Sequence, residues 1–153
     1  MAVKKALKLW TKKPQSFEDC IRMARMRFQK HFANDVLQLL HVYPIDKLTK
    51  EGRPFWSLPK RPPMKQEFNP ENQMHANVLA AFACLYAKLY GIKIPYSLPR
   101  SKESKFEMAK QASAISVPEF VANDQKALEI ESQVDKEQSA KDQDTNQEDT
   151  MMQ

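Results

Sequence analysis

Five side chains in this sequence could act as nucleophile, proton carrier or metal ligand: Cys20, Cys84, His31, His41 and His75. Zinc would require ligands in short, paired spacings, and these five are too scattered to write one. A Cys–His pair could still assemble through folding and supply a thiolate nucleophile. Each cysteine, however, lies mid-helix among apolar neighbours, where burial disfavours the thiolate, so both read as packing residues. His41, between Leu40 and Val42, reads as a partly buried helix-end residue. His75 falls near the start of a predicted helix, whose positive end disfavours imidazolium, and reads as a packing residue rather than a proton donor. Glycine occurs only at 52 and 91, so neither a dinucleotide fingerprint nor a Walker loop can be written. The sequence assigns no catalytic, cofactor-binding or metal-binding residue.

The remaining candidate for a site is the run G-R-P-F-W-S-L-P-K-R-P-P over 52–63, with four prolines, two adjacent aromatics and three basic residues. Proline fixes φ and donates no backbone hydrogen bond, which excludes a helix interior or a central strand. A plain linker has no reason to carry Phe55 and Trp56. They could clamp a partner, but exposed aromatic pairs are uncommon without an interface. The favoured reading turns them inward to anchor the loop on the core helix, predicted over 71–90. Lys60 and Arg61 could pair with a carboxylate or face solvent.

The elements that must position these residues are helical. Ser16 opens S-F-E-D, with a capping hydroxyl and acids near the positive helix end. Phe17, Cys20, Ile21, Ala24, Phe28 and Phe32 then recur at helical spacing, which predicts a helix over 17–31 with Arg22, Arg25, Met26 and Lys30 largely on other faces. Asn34 or Asp35 can cap a second, shorter helix through Val36, Leu37, Leu39 and Leu40, ended by Tyr43-Pro44. Irregular chain follows over 49–68, with a turn at Lys50-Glu51-Gly52. Asn69-Pro70-Glu71 predicts a helix start, and the helix over 71–90 is the most strongly patterned. Met74, Val78, Phe82, Leu85 and Leu89 form its stripe, flanked by small residues, and Gly91 stands where a left-handed cap belongs. A weaker helix is expected over 101–115, burying Phe106, Ala109 and Ala112. An extended piece at 117–121 leaves room for one short strand, and a marginal helix is expected over 123–134. The first ten residues read as the last turns of a helix ending near Lys13-Pro14, too short for a signal peptide.

The fold class is therefore all-α with long proline-rich loops, in three segments: a connector over 1–15, a helical body over 16–121 and an acidic tail over 122–153. From about residue 133 the tail has almost nothing apolar and is expected to be disordered. The 153-residue chain carries a formal net charge of +5, with basic residues concentrated in 1–110 and acidic ones after 110. A basic body invites a nucleic-acid reading, but no RNA-binding or finger signature is present, and a solvated basic face is favoured. Two unpaired cysteines and no membrane-length apolar run suit a cytoplasmic or nuclear protein.

Several segments say more when read together. S-F-E-D-C-I-R-M-A-R-M-R-F (16–28) and N-D-V-L-Q-L-L-H-V-Y-P-I-D (34–46) resemble the second catalytic cysteine half-domain of the ubiquitin-activating enzymes. The family patterns are approximately [ST]-[FW]-x-x-C-[VI]-x-x-A-R-x-x-[FW] and N-x-[IV]-x-Q-L-L-x-x-[FY]-P-x-D. T-K-E-G-R-P-F-W-S-L-P-K-R-P-P (49–63) is similar to T-x-x-G-x-x-F-W-S-G-P-K-R-x-P, the most specific of the matches. A-A-F-A-C-L-Y-A-K-L-Y-G-I (80–92) resembles the helix A-A-x-L-x-A-x-x-Y-G-I, and V-P-E-F (117–120) the segment after it.

The resemblance covers about 16–120 in the family's order. It implies an enzyme that uses ATP and magnesium to adenylate ubiquitin or a relative, captures it as a thioester and passes it to a conjugating enzyme. The family's nucleophile lies upstream of the S-F-E-D-C helix in a P-x-C-T type motif, which this sequence lacks. Cys20 falls on a different family cysteine and inherits no catalysis. Leu58 stands where the family often has glycine. Adenylation domains and the acidic F-E-K-D-D-D segment are absent, so the expectation is a noncatalytic scaffold, from a fragment, a truncated isoform or a divergent gene. The alternatives are a free-standing module binding ubiquitin-pathway proteins and, behind it, a basic nucleic-acid-binding domain.

Overall fold

The structure, a computed structural model, describes the backbone of residues 2–151, with side chains described for 3–8 and 10–137. Six α-helices follow one another: α1 Ala2–Thr11, α2 Phe17–Gln29, α3 Asp35–Val42, α4 Gln73–Tyr90, α5 Lys102–Ser113 and α6 Asp124–Met151. The all-α expectation holds. Among the described residues the only β-type pairing is an isolated bridge between Leu48 and Pro54, and 117–121 is irregular. The helices group into two compact units, one from residues up to Ala33 with Gln66–Glu119, the other from Asn34–Lys65 with residues from Phe120 onward.

The first unit is a core of α2, α4 and α5. Ser16 caps α2 as expected: its hydroxyl accepts from the Asp19 N–H at 3.3 Å, and Asp19 reaches back to the Gln15 N–H at 3.1 Å, satisfying amides that the helix leaves open. Phe17, Cys20, Ile21, Ala24 and Phe28 are buried on one face. Arg25 is buried too, against expectation. Its guanidinium lies 4.8 Å from the Phe68 ring centroid and donates to the Gln29 side chain at 3.2 Å, so an aromatic face and a neutral amide replace its water.

Helix α4 corrects the sequence reading most. Its buried residues are Ala76, Leu79, Ala80, Ala83 and Ala87, whereas Met74, Leu85 and Leu89 of the expected stripe are 75%, 66% and 71% exposed. Both sides of α4 are apolar, and periodicity alone does not say which faces inward. The small side wins because alanines let neighbouring backbones approach closely, with Met108, Ala109 and Ala112 of α5 fully buried against the same core. Phe106, expected inside, is half-buried, and Met108 takes the inner position.

The start of α4 also lies later than expected. The Asn69 side chain accepts from the Glu71 N–H at 2.9 Å and makes a turn of Pro70-Glu71. Asn72 is then the cap, accepting from the Met74 and His75 amides. Gly91 ends the helix at φ +67°, and the Ile92 N–H reaches the Ala87 carbonyl at 2.8 Å, a left-handed close that glycine permits.

No separate cap starts α3. Asn34 has helical dihedrals and makes no side-chain cap, because the helical backbone continues from α2 through a π-helical segment, Lys30–Asn34. That wider turn offers a carbonyl outward, and Phe32 O accepts from the Gln66 N–H at 2.8 Å.

In the second unit α3 packs on α6. The buried residues of α3 are Gln38 and Val42, while Leu37, Leu39 and Leu40 are half-buried. The Gln38 amide explains its place: it donates to the Asn123 carbonyl at 3.0 Å and accepts from the Asn123 N–H at 2.9 Å. Helix α6 runs past the marginal helix expected over 123–134, and through most of the stretch read as a disordered tail its backbone is helical to Met151. That stretch contains no proline or glycine, so no residue in it blocks a helical backbone, although it has no apolar face to pack. Residues 152–153 of the tail lie outside the described residues.

Candidate functional site

The proline-rich segment is built upward from Tyr43, which closes α3 and is buried. The turn at 50–52 behaves as read: the Gly52 N–H donates to the Thr49 carbonyl at 2.9 Å, and Gly52 takes φ +78°, a value that a side chain would strain. Thr49 N–H then meets Arg53 O at 2.7 Å, and Phe55 N–H meets Lys47 O at 2.8 Å, a short hairpin that delivers Phe55 and Trp56 together.

Phe55 stacks on Tyr43 with centroids 4.4 Å apart and rings 10° from parallel. Trp56 stands edge-on to Phe55, and its indole N–H donates to the Tyr43 carbonyl at 2.9 Å. The pair is half-buried and turned inward, as the sequence suggests, and Tyr43 takes the anchoring place that the sequence reading gave to α4. Lys60 is committed: its ammonium lies 4.7 Å from the Phe55 centroid, and Lys47 lies 5.4 Å from that of Tyr43. Two aromatic faces thus hold two cations. Arg61 is exposed. Burial, then Glu131 and Asp135, push the Tyr43 hydroxyl up, so it stays neutral. This arrangement holds a loop; it has no group poised for proton transfer or attack.

The cysteines are free thiols in the first unit. Cys20 is fully buried, and burial, with Asp19 and Cys84 behind it, raises its thiol. Cys84 is half-buried and also raised by burial, although Lys88 and Arg100 pull it down. Both are protonated at neutral pH and poor nucleophiles.

The histidines are dispersed. His75 packs edge-on to Phe28 and stacks on Phe68, its Nδ1 accepts from the Asn69 N–H at 3.0 Å, and burial lowers its pKa. His41 corrects its reading as partly buried: it is exposed on α3, with Nε2 3.5 Å from Asp124 of α6. The buried side of α3 is occupied by Gln38 and Val42 instead. His31 lies beside Arg27, 3.4 Å from its guanidinium. Among the described residues no group of three or more His, Cys, Asp or Glu could hold a metal ion.

A family model described as ubiquitin-activating enzyme, SCCH domain, matches residues 1–153. The chain belongs to the ubiquitin-activating enzyme family. It is 48% identical over 85 residues to ubiquitin-activating enzyme E1 1 of Schizosaccharomyces pombe, covering 56% of this chain and 8% of the relative. With ubiquitin-like modifier-activating enzyme 1 of Dictyostelium discoideum it shares 40% over 109 residues, 71% of this chain and 10% of the relative. It is 40% identical over 86 residues to human ubiquitin-like modifier-activating enzyme 6, covering 56% of this chain and 8% of the relative. The chain thus spans about a tenth of the length of these relatives.

Reasoning from sequence missed Tyr43 as the seat of the Phe55–Trp56 loop; the adjacency of Tyr43 to the helix-ending Pro44 was the available signal. No helix among the described residues is long and apolar enough to cross a membrane.

Proposed function

We propose that this chain is scaffold of the thioester-forming half-domain of an enzyme that adenylates ubiquitin or a close relative with MgATP, holds it as a thioester and hands it to a conjugating enzyme. One observation carries this reading: the F-W-S-x-P-K-R-x-P loop is folded around Tyr43 by its own aromatic and basic residues, in a chain that the family model matches throughout. The loop braces; it does not react. Neither a Walker loop nor a dinucleotide fingerprint can be written with the two glycines, which serve a turn and a helix end. ATP and magnesium belong, on this reading, to other parts of the intact enzyme, as does the cysteine that carries ubiquitin. Free thiols suit the cytoplasm or nucleus.

The test is to incubate the chain with ubiquitin and MgATP and look for a reductant-sensitive adduct on a non-reducing gel. None is expected. An adduct lost on Cys20→Ala or Cys84→Ala would overturn the proposal.

A further inference from the structure

The exposed side of α4 carries a feature that the scaffold role does not use. A cavity of about 340 Å³ opens beside it, walled by apolar side chains including Ala80, Ala81, Leu85 and Ile94, with Cys84 among them. Lys88, Arg100 and Lys105 also line it, and among the described residues none of the three is in an ion pair. Lys88 and Arg100 both pull the Cys84 thiol down, so their charges lie near it. An adjoining cavity of about 210 Å³ shares Asn77, Arg100 and Lys105 and adds Gln73, Lys102 and Phe106.

Between the two sits Asn77, whose Oδ1 is buried and accepts no hydrogen bond. The groove follows α4 from Gln73 to Lys88, about 22 Å of helix. Leu85 on its wall is 66% exposed, and Leu89, one turn further on and 71% exposed, continues the apolar surface.

We propose that this groove binds an acidic, apolar peptide segment of a protein partner in extended form. An apolar side chain fills the larger cavity, and carboxylates meet Arg100, Lys88 and Lys105. The length of the groove and the apolar surface at Leu85 and Leu89 exceed what a small metabolite needs. Four cations and no carboxylate on its walls select for negative charge. The apolar wall between the cations suits side chains such as leucine, which a phosphate backbone does not offer. The inference stands apart from the thioester reading, since it concerns binding by this chain alone.

Cys84 reports on occupancy. The whole chain is treated with N-ethylmaleimide, and Cys84 modification is followed by mass spectrometry, with buried Cys20 as a slow internal reference. A short peptide alternating Leu and Glu should slow Cys84 modification about tenfold at saturation, less so at high salt. The same peptide with Lys for Glu should not. Arg100→Gln with Lys105→Gln should abolish protection, while Lys110→Gln, which removes one charge on α5 outside the groove, should leave it intact. Circular dichroism checks that each variant is folded. Equal protection by both peptides, no protection by the acidic one, or protection that survives the double variant overturns the proposal. So does protection by oligo(dT) where the acidic peptide gives none.

Discussion

The Trp56 indole N–H donates to the Tyr43 backbone carbonyl at 2.9 Å, so the proline-rich loop is tied to the end of α3 by a bond that only tryptophan at 56 can make. Phe at 56 keeps the edge contact with Phe55 and loses the donor, leaving a part-buried carbonyl short of a partner. Trp56→Phe should cost about 1–2 kcal/mol. Phe55→Ala, which removes the ring that both Tyr43 and Lys60 use, should cost more, about 3 kcal/mol. Limited trypsinolysis after Lys60 reads both directly: cleavage should rise in the order wild type, Trp56→Phe, Phe55→Ala.

The small-residue side of α4 gives a second expectation. Ala83 is fully buried and Leu85 is 66% exposed. Ala83→Leu overfills the core and should destabilise by about 1–3 kcal/mol, whereas Leu85→Ala should change stability by less than about 0.5 kcal/mol. Urea unfolding of the two variants checks this. The opposite ranking would restore the large-residue stripe as the core face.

How far the chain was legible from its residues follows from α4. The existence and length of the helix were readable, because apolar residues at helical spacing and a terminal glycine leave little choice. Its orientation was not, because alanine and leucine faces both score as apolar and only the neighbours decide between them. Arg25 and Gln38 were hidden for a related reason. Their burial depends on partners far along the chain, Phe68 and Asn123, that no local pattern announces. The Phe55–Trp56 loop was legible as a specified structure through its prolines, but its seat on Tyr43 needed the fold. The continuous helical backbone at Asn34 was missed because a good capping residue need not cap.

His75 gives the chain a pH dependence. Burial lowers its pKa below the ordinary value of about 6.5, so the unfolded chain binds a proton more readily than the folded one. The stabilisation is complete above about pH 6.5 and is lost as pH falls through the lower folded value. Unfolding midpoints in urea should therefore decrease from pH 7 to pH 5. His75→Gln keeps an acceptor for the Asn69 N–H and should flatten that decrease. Proton NMR should show the His75 ring titrating below the usual histidine range; a ring titrating at or above it contradicts the packing assigned to it.

Gln38 closes a two-way amide bond with Asn123. Gln38→Glu keeps an acceptor for the Asn123 N–H but sets a carboxylate oxygen against the Asn123 carbonyl. It should destabilise the α3–α6 unit by about 1–3 kcal/mol at pH 7 and recover in acid as the carboxyl protonates. Amide hydrogen exchange at Asn123 measures it, with faster exchange expected at neutral pH.

The scaffold claim is tested most directly by exchange into a working enzyme. Residues 16–120 replace the corresponding segment of the S. pombe relative, and ubiquitin thioester formation with MgATP is measured on a non-reducing gel. The account predicts a reductant-sensitive thioester on the chimera, unchanged in amount when Cys20 and Cys84 are both alanine. A folded chimera that forms no thioester, or one whose thioester disappears with those two cysteines, contradicts it.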